Sequence, residues 1–109
     1  MLSRFFALNI FNLVDSKENY YREYSVKAGK IIYAKGGRVV SSACNPIRKL
    51  KGETERKYMI VVEFPSVEVF QDFLDEAEEQ NIHYLREKST KDYIWTLYEP
   101  WDIKAWVKE

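Results

Sequence analysis

The chain has 109 residues, 46% hydrophobic and 16% aromatic, which suits one domain with a real core and excludes disorder. Lys plus Arg and Asp plus Glu balance at 17 each, so the basic excess of a duplex-binding module is missing and no nucleic-acid partner is expected. With Cys44 as the single cysteine, no apolar run near the ~20 residues of a membrane span, and no signal-peptide pattern over Met1 to Asn9, a cytoplasmic protein away from membranes is expected.

Phe5 to Val14 reads as the first strand, apolar except for Asn9 and Asn12. Asp15 and Ser16 close it and are placed to cap the next element. Lys17 to Lys35 reads as a helix, because Tyr20, Tyr24, Ala28 and Ile31 recur at helical spacing. Gly29 weakens its middle by roughly 1 kcal/mol relative to alanine. Gly36-Gly37 stops it, since glycine takes the left-handed conformation without penalty.

Arg38 to Cys44 is the second strand, broken by Asn45-Pro46. Ile47 to Lys57 gathers Arg48, Lys49, Lys51, Arg56 and Lys57 around Gly52. With Glu53 and Glu55 diluting the charge, a solvated hairpin tip is the reading preferred over a basic patch. Tyr58 to Val62 is a continuous apolar run without polar alternation, which predicts a third strand buried on both faces. Pro65 ends that strand and Ser66 caps the following helix. Val69, Phe70, Phe73, Leu74 and Ala77 form the apolar side of this helix. Its acidic far end opposes the helix dipole, so a turn near Asn81 is expected. Ile82 to Lys88 reads as a short helical turn, and Asp92 to Tyr98 as the last strand. After Glu99-Pro100, the apolar tail holding Trp101 and Trp106 is expected to dock on the sheet edge or on a partner.

The order strand, helix, strand, strand, helix, strand is the split βαβ arrangement of ferredoxin-like α+β folds. It forms a four-stranded antiparallel sheet with two helices on one face. Residues 1–109 make one domain, with the core over 5–98 and the tail over 99–109. Two helices cover one sheet face only. The other face is also apolar and projects roughly 400 Å² at ordinary strand spacing. Such a patch calls for a cover, and a homodimer through sheet faces is the expected one.

Gly36-Gly37-Arg38-Val39, Lys51-Gly52, Val62-Glu63-Phe64-Pro65-Ser66, and Tyr84 with Arg86 together resemble a small bacterial family of unknown function in the dimeric α+β barrel superfamily. The resemblance spans about residues 5 to 98 and implies a ferredoxin-like protomer paired through its sheet. The tail from Trp101 departs from the pattern. More distant superfamily members include cofactor-independent monooxygenases, haem-degrading enzymes and small isomerases. The haem-degrading pattern pairs a first-strand asparagine with a third-strand tryptophan and a second-helix histidine, and here only Asn9 matches.

Chemistry-bearing motifs are sparse. No Walker loop, G-x-S-x-G or G-x-G-x-x-G is present, and one histidine with one cysteine gives no metal-ligand spacing, so neither cofactor nor metal is expected. His83 reads as a surface histidine, with a general base or a haem ligand as the alternative. Asn9 inside an apolar strand needs partners, supplied by a core network or by a ligand. Tyr24 and Trp95 read as core residues with wet tips or as cleft walls. Counting back from the hairpin loop sets Arg38 opposite Glu63 across an antiparallel pair. That placement gives either a strand-end ion pair or an anion site at a cleft mouth. The candidate ligand-binding set is therefore Asn9, Tyr24, Arg38, Glu63, His83 and Trp95. Three readings follow: a small-ligand barrel with a cleft between helices and sheet, a structural or regulatory dimer without a pocket, and a cofactor-free oxygenase or isomerase.

Overall fold

The computed structural model describes residues 4–53 and 55–108. Its elements are β1 (Phe5–Leu13), α1 (Glu18–Ala34), β2 (Arg38–Cys44), β3 (Tyr58–Phe64), α2 (Val67–Glu79), α3 (His83–Ser89), β4 (Thr90–Tyr98) and α4 (Ile103–Val107). The strands form one antiparallel sheet in the order β2-β3-β1-β4, the ferredoxin-like arrangement.

The two-residue strand period sorts the sheet into two faces. Phe5, Ala7, Asn9 and Phe11 of β1 are buried beneath the helices, and Val62 and Phe64 of β3 join them. Phe73 and Ala77 of α2, Ile31 and Ile32 of α1, and Leu85 of α3 close the core from above. Phe64, Phe70 and Phe73 pack as an aromatic cluster with centroids 5.0–6.2 Å apart.

The opposite face carries Phe6, Leu8 and Ile10 of β1, Met59 and Val61 of β3, and Ile94 and Tyr98 of β4. None of these is buried in the single chain, so the third strand is buried on its helix side only. β2 lies at the sheet edge and is exposed along its whole length.

Local signals decide most boundaries. Ser66 accepts a hydrogen bond from the Val69 N–H at 3.1 Å and starts α2. Asn81 turns the chain out of α2 with φ 55. Gly36 ends α1 with φ 90. Asp15 and Ser16 do not cap α1. Ser16 takes φ 66, and Lys17 occupies the cap position without a side-chain bond. The tail does not bury itself on the sheet edge: Trp101 and Trp106 stay 65% and 66% exposed and pack edge-on against each other at 5.3 Å. Among the described residues, no helix is long and apolar enough to cross a membrane.

Candidate functional site

Between α1 and the helix-side face of the sheet lies a half-open cavity of about 100 Å³, somewhat smaller than the roughly 150 Å³ apolar cavity that takes up benzene in a protein core. α1 supplies Tyr24, Ala28 and Gly29 to its wall, and Asn9, Tyr93 and Trp95 come from the neighbouring strands β1 and β4. Gly29 matters here. A methyl group built on it would meet nothing within 4 Å, so the absent side chain leaves the space open.

Asn9 is 6% exposed and fully engaged. Its Oδ1 accepts a 2.6 Å hydrogen bond from the Tyr93 hydroxyl, and its Nδ2 donates to the Ile60 carbonyl at 3.3 Å and the Ala7 carbonyl at 3.4 Å. The amide thus belongs to a core network, and that network borders the cavity. It gives a mostly apolar chamber one polar end.

The phenols around this end hold their protons. Burial pushes the hydroxyls of Tyr21, Tyr24 and Tyr93 above the usual phenol range. The nearby Arg86 guanidinium opposes the rise in all three without cancelling it. At neutral pH these groups are therefore proton donors, not bases.

Arg86 projects from α3 into a cage of rings. Its guanidinium carbon lies 5.7 Å from the Tyr24 centroid, 5.4 Å from Tyr93 and 5.1 Å from Trp95. Its NH1 and the Trp95 Nε1 are both enclosed and have no hydrogen-bond partner among the described residues.

Asn9, Tyr24 and Trp95 of the expected set thus meet at one cavity. Arg38 and Glu63 do pair, at 3.4 Å, with Arg4 joining Glu63 at 3.8 Å. They lie on the other sheet face, because their neighbours Val39 and Val62 are the residues that point to the cavity. The ion-pair reading holds, and the cleft-mouth reading does not. His83 opens α3 half-buried, with its Nδ1 enclosed and unpartnered among the described residues, so it is not the surface residue expected; nor does it line the cavity.

Sequence reasoning missed Tyr93, Arg86 and the cavity role of Gly29. Tyr93 was within reach, since it stands two residues from Trp95 on one strand and shares its face. Arg86 joins the site only through packing between α1, α3 and β4. Among the described residues, no group of three His, Cys, Asp or Glu side chains is placed to hold a metal ion.

A family model described as a domain of unknown function (DUF1330) matches residues 7–98. No curated protein matches the chain in sequence. Among solved structures, a protein of unknown function from Rhodopseudomonas palustris superposes with a TM-score of 0.79 at 16% identity, over 94% of this chain and 85% of that one. SnoaB, a cofactor-independent oxygenase from Streptomyces nogalater, gives 0.64 at 8% identity, over 92% and 95%. A dimeric protein of unknown function with a ferredoxin-like fold from Bacteroides fragilis gives 0.57 at 16% identity, over 89% and 96%. At these identities the likeness is one of fold.

Proposed function

The chain belongs to the DUF1330 family, and from that premise we propose that it binds a small organic ligand in the cavity between α1 and the sheet. The observation that carries this reading is the chamber itself: apolar walls around one polar end, where the Tyr93 hydroxyl is already hydrogen-bonded to Asn9. Gly29 supports it. A mid-helix glycine facing empty space costs helix stability and gains no packing, a trade that makes sense when the space has an occupant.

The oxygenase reading has less behind it. It assigned the base to His83, which is not part of the cavity wall, and the cavity phenols are held protonated. A homodimer through the open sheet face accompanies the binding reading, supported by the apolar row on that face and by the dimeric Bacteroides fragilis neighbour.

The test is a Gly29→Leu variant, which fills the cavity with a residue that also favours helix. Single-ring and smaller probes are expected to raise the melting temperature of the wild type and to leave that of the variant unmoved. Equal binding by both proteins would place the site elsewhere.

A further inference from the structure

Among the described residues Arg86 is a cation without a counter-ion: no carboxylate forms a salt bridge with it, and its NH1 is enclosed without an acceptor. The residue as a whole is half-buried, so water screens part of its charge, while the enclosed NH1 edge is left without that screening. The surrounding rings supply part of the balance through their faces. Those three rings, Tyr24, Tyr93 and Trp95, are also walls of the cavity. Arg86 itself is not part of the cavity wall: it lies against these rings from α3, half-buried, and can act on the cavity only through space.

We infer that the cavity selects anions, and that its ligand is a small carboxylate whose charge is balanced by Arg86. This rests on the reading of the cavity as a ligand site and narrows the ligand class. Two further features agree with it. The Trp95 Nε1 is a second enclosed donor without a partner among the described residues. The tyrosine hydroxyls at this end keep their protons and add no negative charge of their own. A neutral ligand would leave the cation unbalanced, and a cationic one would be repelled.

The experiment compares benzoate with benzamide, and acetate with acetamide, at neutral pH. Each pair matches in size and differs in charge. Binding is read from Trp95 fluorescence in a Trp101→Phe/Trp106→Phe background, which leaves a single tryptophan. The acids are expected to bind at least tenfold more tightly than their amides, and a folded Arg86→Gln variant is expected to lose that preference. Amides binding as well as acids would overturn the inference and leave the cavity reading standing. An acid preference that survives in folded Arg86→Gln would overturn the role of Arg86. If Arg86→Gln does not fold, the acid-to-amide ratio of the wild type decides. Failure of all four probes to perturb Trp95 would bring down the cavity reading, and this inference with it.

Discussion

Asn9 and Tyr93 form the polar hinge of the site, and their coupling is measurable. Replacing Tyr93 with Phe leaves the buried Asn9 Oδ1 without its 2.6 Å donor, which costs about 1–3 kcal/mol by the usual penalty for an unsatisfied buried group. Asn9→Leu combined with Tyr93→Phe should cost less than the sum of the two single changes, because the double variant orphans neither partner. Urea denaturation of the four proteins checks this, and strict additivity would show that the bond is not formed. The phenols predict a pH effect of definite sign. Their folded-state pKa values lie above the unfolded value near 10, so the folded state holds the proton more tightly. That stabilisation is fully present below about pH 10 and is lost as pH rises through the range above it. Thermal unfolding between pH 8 and 11 should show stability falling above pH 10, less steeply in Tyr93→Phe. Asn9 and Trp95 were legible in the sequence because an amide inside an apolar strand needs partners and an indole there needs room, whichever face they take. Arg86 was not, because only the docking of α3 beside α1 brings it to the rings.

Of the three glycines in α1 and its exit, Gly29 and Gly37 separate open space from close packing. A methyl group at Gly37 would sit 2.8 Å from Ile32 Cγ2 and 3.2 Å from the Glu63 carbonyl oxygen, so Gly37→Ala should destabilise by about 1–3 kcal/mol through overpacking. Gly29→Ala meets nothing and should stabilise by roughly 0.5–1 kcal/mol through helix propensity. Differential scanning calorimetry of the two variants gives both signs, and a loss of stability in Gly29→Ala would show that the space above it is not open. Most of the element plan was readable. Arg38 to Cys44 stands as a strand at the expected residues; Arg38 does meet Glu63, but only because a bulge between Val39 and Ser41 shifts the register by one residue from the Cys44–Tyr58 end, which a straight count does not foresee. Turn chemistry explains the element boundaries: Gly36, Asn45 and Ser66 each act at the backbone position they occupy. The face on which the ion pair lies was not readable, because it depends on which side the helices cover. The start of α1 misled for a similar reason, as Ser16 was spent on a left-handed turn and could not also cap the helix.

Among the described residues the open sheet face and the α4 arm with its tryptophan pair stand out as apolar features without a partner. Light scattering at micromolar concentration should give about twice the chain mass of 13.0 kDa. Removing residues 100–109 should weaken that dimer while leaving the protomer's core intact, since the arm's rings contact each other rather than the core. An unchanged dimer would put the arm in solvent. The central claim, a ligand chamber under α1, is tested most directly by amide chemical-shift mapping with the tightest-binding probe. The account predicts shifts concentrated at Tyr24, Ser25, Gly29, Ile60 and Trp95, all on the cavity wall. Shifts gathered instead at Leu8, Ile10, Met59 and Val61 on the open sheet face would contradict it.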